Sequence, residues 1–219
     1  MKVVLFGATG MVGQGVLREC VLDPDVKEVL VVGRTPIERS HPKIHEIVHK
    51  DLYDLSPIAS QLTGYDACFF CLGVSSVGMN EADYTKITHD LTLAVARVLA
   101  QQNPQMVFLY ISGAGTDSTE RGKSMWARVK GRTENELLRE PFRAAYMLRP
   151  GYIQPMHGVK SKTPLYRAFY VVLSWLYPLI RLVARKYAIT TEDLGRGMVK
   201  IAKSGAPKRI LENSDIEAI

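Results

Sequence analysis

Met1-Lys-Val-Val-Leu-Phe-Gly7-Ala-Thr-Gly10-Met-Val-Gly13-Gln-Gly15 sets an apolar run directly before three glycines spaced three apart, with an amphipathic stretch after them. Val3 to Phe6 read as a buried parallel strand and Val12 to Leu22 as the helix that follows. Each glycine has its own physical task in such a turn. Gly7 lets the chain bend sharply, Gly10 keeps side-chain atoms away from a bound pyrophosphate, and Gly13 lets the helix approach the strand. The unpaired amides and positive end of the helix then face the anion. The spacing is GxxGxxG rather than GxGxxG, so the strand before and the helix after it must carry the reading of a dinucleotide site. Gly7, Thr9, Gly10, Met11, Val12 and Gly13 are the expected cofactor contacts of this turn.

Further strands are expected at Glu28–Val32, Ile44–His49, Ala67–Leu72, Met106–Ile111 and Ala145–Leu148, with a short last one at Arg209–Leu211. Helical patterns fall between several of them, at Ala82–Gln101 and Met125–Arg139. The strands are continuous apolar runs, as a parallel sheet covered on both faces requires. Strand and helix alternate, which predicts an α/β fold with a doubly wound, Rossmann-type sheet. The length of 219 residues suits one such domain, spanning 1–219. After Arg149-Pro-Gly151 the rhythm breaks. Residues 152–187 are aromatic-rich, carry three prolines, and are expected to form a small helical lid over the cofactor crevice. Thr190-Thr-Glu-Asp193 reads as the start of a helix running to about Lys203, its acids placed at the positive end.

Composition narrows the function classes. The formal net charge is +6, but no run of five or more Lys or Arg occurs and no nucleic-acid motif is present, so nucleic acid is not an expected partner. The longest apolar stretch, Ala168 to Ile180, is too short to span a bilayer and is interrupted by Ser174 and Pro178. Its flanking arginines leave peripheral membrane contact open. The first residues enter a strand directly, so secretion is not expected. Three cysteines fit a reducing compartment, and a cytoplasmic location is expected. Cys68 and Cys71 form a CxxC, but residues three apart on a strand face opposite ways, which argues against a shared metal or disulfide. His45 and His49 lie roughly 13 Å apart if Ile44 to His49 is a strand, too far for one ion. No metal site is expected.

The second strand ends Val31-Val-Gly33-Arg34-Thr35. An acid about 20 residues after a glycine turn would mark NAD by binding the ribose hydroxyls. Arg34 stands there instead, and a guanidinium can grip a 2′-phosphate. NADP(H) is therefore the expected cofactor, with NAD as the alternative. Asp51 and Leu52, past the third strand, are expected near the adenine. Ligands of an open α/β sheet sit outside the carboxyl ends of the strands. Leu72 and Gly73 would then line the cofactor's path, and Ser112 would face the nicotinamide. Trp126 and Lys130, four apart on a helix, point the same way.

With these residues placed, the chain resembles the atypical branch of the short-chain dehydrogenase/reductase superfamily. It looks like the NmrA-like, flavin-reductase-like and Tat-interacting-protein-like members over roughly residues 1–203. The likeness rests on Gly7-Ala-Thr-Gly10-Met-Val-Gly13, Gly33-Arg34, Asp51-Leu52, Ile111-Ser112, Lys130, Leu148-Arg-Pro150-Gly151 and Glu192-Asp193-Leu194. The resemblance implies a Ser that stabilises a substrate carbonyl, a Tyr of YxxxK that supplies a proton, and a Lys that binds the nicotinamide ribose. Ser112 and Lys130 match, Pro150 falls among the implied cofactor contacts, and the tyrosine slot holds Trp126. An indole N–H donates a hydrogen bond but does not release its proton, so a Ser–Tyr–Lys ketone reduction is not expected. Two readings remain: hydride transfer to a small quinone- or flavin-like acceptor, or an NADP(H)-binding redox sensor or regulator without turnover. The sequence sets neither the substrate nor the oligomeric state.

Overall fold

A computed structural model of the chain describes residues 1–159 and 187–219. Seven parallel strands form one sheet: β1 (Lys2–Phe6), β2 (Glu28–Gly33), β3 (Ile44–Val48), β4 (Ala67–Phe70), β5 (Val107–Ile111), β6 (Ala144–Arg149) and, after a separate pair, β9 (Ile210–Glu212). Their spatial order is β3-β2-β1-β4-β5-β6-β9. The chain winds outward from β1 to the β3 edge and then returns to lay β4 on the other side of β1. The carboxyl ends of β1 and β4 therefore diverge at the point where the winding reverses, which is where this topology opens a crevice.

Alternating strand residues feed two cores. Val3, Leu5, Val29, Val31, Phe69 and Leu109 pack on one face with α1 (Met11–Leu22) and α5 (Thr191–Ser204). Val4, Phe6, Leu30, Phe70, Phe108 and Tyr110 pack on the other with α3 (Leu91–Gln102) and α4 (Met125–Leu137). Both faces of the central strands are covered, so those strands are apolar throughout. Cys68 belongs to one core and Cys71 packs against the other, as strand alternation dictates. The β3 strand departs from the expected continuous apolar pattern. It is the sheet edge, and His45 and Glu46 are exposed there.

Three features lay beyond the sequence pattern. The expected single helix over 82–101 is α2 (Glu81–Thr85), one π turn (Lys86–Asp90) and α3. A short strand pair, β7 (Tyr152–Gln154) with β8 (Ala188–Thr190), brackets the expected lid, and a last helix, α6 (Asn213–Glu217), closes the chain. Most of the expected lid and all of Ala168 to Ile180 lie outside the described residues. The expected start of α5 is observed, with the Thr190 hydroxyl accepting from the Asp193 amide at 2.9 Å.

Candidate functional site

The glycine turn sits at the carboxyl end of β1. Gly7 has φ +85°, and a Cβ there would lie 2.7 Å from the backbone of Cys71, so only glycine fits between β1 and the end of β4. A Cβ at Gly13 would fall 2.1 Å from the Gly7 carbonyl oxygen, so α1 packs on the turn itself. Gly10 is the N-cap of α1, with no side chain capping the helix and no acid in its first turn. The first-turn amides of α1 thus have no acceptor within the helix, and the positive helix end is unopposed by carboxylates. These groups open onto a cleft of about 620 Å³ lined by Gly7, Thr9, Gly10, Met11, Arg34, Leu52, Leu72 and Gly73 among others. The cleft lies at the reversal between β1 and β4. Arg34 is exposed at its rim and, among the described residues, forms no ion pair.

Three of the expected contacts are not among the residues lining this cleft. Asp51 does not line this cleft; its carboxylate accepts from the Tyr53 amide at 3.0 Å and shapes the turn after β3. Val12 faces away and packs on the core beneath α1, while Gly13 is buried under the turn. For both residues, any contact with a ligand would be through the backbone.

The second half of the site gathers at the ends of β5 and β6. Ser112 follows β5 and is buried, its hydroxyl 3.0 Å from that of Thr116. The Thr116 hydroxyl donates to the Gly113 carbonyl at 2.8 Å. A hydroxyl has one hydrogen, so Ser112 donates to Thr116 and keeps its lone pairs for another partner. The Pro150 carbonyl accepts from the Ala114 amide at 2.9 Å and ties the loop after β5 to the end of β6. Trp126 lies in the first turn of α4, and its ring packs against Gly115. One turn later, the Lys130 ammonium lies 3.3 Å from the Ile111 carbonyl oxygen and 3.5 Å from the Tyr110 hydroxyl. Desolvation pulls the Lys130 pKa down to about 8, against the opposing charge of Glu134. Lys130 is half-buried. Trp126, Lys130 and Pro150 thus each contact the segment from Tyr110 to Gly115 that carries Ser112 at the end of β5. Sequence reasoning missed Thr116, for which no spacing rule gives a signal. It also missed the contact of Tyr110 with Lys130, although Tyr110 and Ser112 share a strand face at a spacing of two.

The profile of the NAD dependent epimerase/dehydratase family matches residues 3–126, more than half of the chain. The chain belongs to this family. Its description names NAD as the coenzyme of the family. A curated relative, protein fmp52, mitochondrial, from Emericella nidulans, is 32% identical over 159 residues, covering 69% of this chain. The chain spans 66% of that protein's length. FMP52, mitochondrial, from Candida albicans is 22% identical over 213 residues, covering 94% of this chain and 89% of that protein. These names overturn the expected cytoplasmic location. The cysteine count reports a reducing compartment and does not single out the cytoplasm. Among solved structures, the Bordetella bronchiseptica enzyme WbmF in complex with NAD+ matches with a TM-score of 0.69 and 15% identity, over 99% of this chain and 76% of that one. A Streptococcus pneumoniae protein put forward as an NADH-flavin reductase matches with a TM-score of 0.65 and 19% identity, over 97% and 99%. At these identities the likeness establishes the fold.

Proposed function

We propose that the chain is an NADP(H)-dependent oxidoreductase that passes hydride to a small quinone- or flavin-like acceptor needing no phenolic acid. The observation that carries this reading is the uncapped end of α1 opening into the cleft beside Arg34, which forms no ion pair among the described residues. The amides and helix dipole suit a diphosphate, and a guanidinium at the rim suits a 2′-phosphate. The cofactor would supply the hydride; the chain's residues bind and orient it. Lys130 would hold the nicotinamide ribose, and Ser112 would accept a hydrogen bond from the bound molecule. Trp126, as a neighbour of the nicotinamide, would shape the acceptor's seat without giving up a proton. The name of the Streptococcus pneumoniae neighbour supports a flavin-like acceptor as part of this proposal.

Calorimetric titration tests the cofactor assignment. NADPH should bind more tightly than NADH, and Arg34→Ala should cost NADPH about 1.5–3 kcal/mol while leaving NADH nearly unchanged. Equal affinities, insensitive to Arg34→Ala, would remove the NADP assignment. A non-catalytic regulator is the second reading, favoured by Trp126 in the tyrosine slot and by the commitment of the Ser112 proton to Thr116. Steady NADPH oxidation with any quinone or flavin, lost in Ser112→Ala, decides against it.

A further inference from the structure

We propose that Tyr110 is the positioning residue for Lys130, holding its ammonium at the carboxyl end of β5 through the phenol oxygen. This rests on the reading of Lys130 as the ribose-binding residue. Tyr110 is 1% exposed, so its hydroxyl must find partners within the protein. Two are at hand: the Thr133 hydroxyl on α4 beside it and the Lys130 ammonium one turn earlier. The Thr133 hydroxyl donates its one hydrogen to the Val129 carbonyl at 2.8 Å. Thr133 can therefore only accept from Tyr110, which leaves the phenol lone pairs directed at the ammonium. Donation runs one way, from Lys130 to Tyr110 to Thr133 to the Val129 carbonyl. The Tyr110 ring lies 5.1 Å from the ammonium, adding the attraction of an aromatic ring for a cation.

Trp126 cannot take this part. Its indole is a donor only and has no lone pair to offer an ammonium. The fold thus supplies the lysine's hydroxyl partner from inside the sheet, two residues before Ser112. The other groups facing this pair are the Glu134 carboxylate on α4, the Tyr84 phenol on α2 and the Ile111 carbonyl on β5.

The test compares the full chain with its Y110F, T133V and K130M variants. Competitive trace acetylation with peptide mass spectrometry reads the pH midpoint of Lys130 without cofactor, and calorimetry reads NADPH affinity on the same samples. In Y110F the midpoint should fall by about half a pH unit or more, because the charged lysine loses its acceptor. NADPH affinity should drop about fivefold in Y110F and about tenfold or more in K130M. If Y110F does not fold, T133V serves: it frees the phenol hydrogen to turn toward the ammonium and should move both readouts the same way. Unchanged NADPH affinity in Y110F, or in T133V standing in for it, with K130M still weakened, overturns the positioning role and leaves the ribose reading intact. K130M binding as tightly as the parent removes the ribose reading, and the proposal with it.

Discussion

Lys130 carries its charge in surroundings that disfavour it. Desolvation brings its pKa from 10.5 to about 8 in the fold. Between these values the unfolded chain binds more protons than the native one, so this residue's contribution to stability rises with pH from about 8 to about 10.5. Below pH 8 the native state bears the full penalty. Lys130→Met should therefore be more stable than the parent at pH 7, by about 2 kcal/mol after allowance for partial exposure. The gap should shrink as pH climbs past 8. Urea unfolding at pH 7 and pH 9.5 reads both numbers, and a destabilised methionine variant at pH 7 would contradict the account. A residue that costs stability where it sits fits a site selected for binding rather than for packing. At this scale the sequence was legible for types and spacing. Ser112, Trp126 and Lys130 were visible from their order along the chain, and Trp126 and Lys130 each contact the segment around Ser112. The partnering of Thr116 with Ser112 was not visible, because it follows from the path of one loop.

Among the elements, α1 decides the cleft, and α5 seats α1. Gly15 and Gly195 let the two helices meet at backbone distance: a Cβ at Gly15 would lie 2.9 Å from the Thr191 carbonyl oxygen, and one at Gly195 would lie 3.2 Å from the Val16 Cα. Gly195→Val must push the helices apart and should cost about 1–3 kcal/mol. Because α1 presents its first-turn amides to the cleft, the same change should weaken NADPH binding. Chemical unfolding and titration of one variant read both effects, and lost stability with undiminished affinity would show that α1 is seated by the sheet alone. Strands and helices were largely legible here. Apolar runs of four to six residues marked the buried strands, and the 3.6-residue period marked α1, α3, α4 and α5. The π turn at Lys86–Asp90 was not legible. Buried His89 sits there between Asp90 at 2.7 Å and Glu136 at 3.0 Å, a pairing made across to α4 rather than along the chain. The β7–β8 pair escaped for a similar reason: three-residue strands 36 positions apart leave no local periodicity.

The seven-stranded sheet places its strands' carboxyl ends on one side, and the cleft opens where the winding reverses. A ligand bound there bridges the turn after β1 and the loop after β4, and it binds only the folded chain. NADPH at about a hundred times its dissociation constant should therefore raise stability by about 2.7 kcal/mol. Thermal melts with and without nucleotide measure the shift. Gly10→Glu, which sets a carboxylate at the positive helix end where the diphosphate would lie, should abolish it; a full shift in that variant would place the nucleotide elsewhere.

The amino-acid order alone determined that this chain builds a parallel α/β sheet and that its first strand leads through a glycine turn into a helix. Both follow from short-range physics: hydrophobic period, glycine stereochemistry and helix ends are set within a dozen residues. Only the tertiary structure decided that Asp51 shapes the turn after β3, that Thr116 accepts the hydrogen bond of Ser112, and that Tyr110 meets Lys130. Those outcomes depend on which hydrogen-bond donors and acceptors the packed strands and helices bring within about 3 Å of one another.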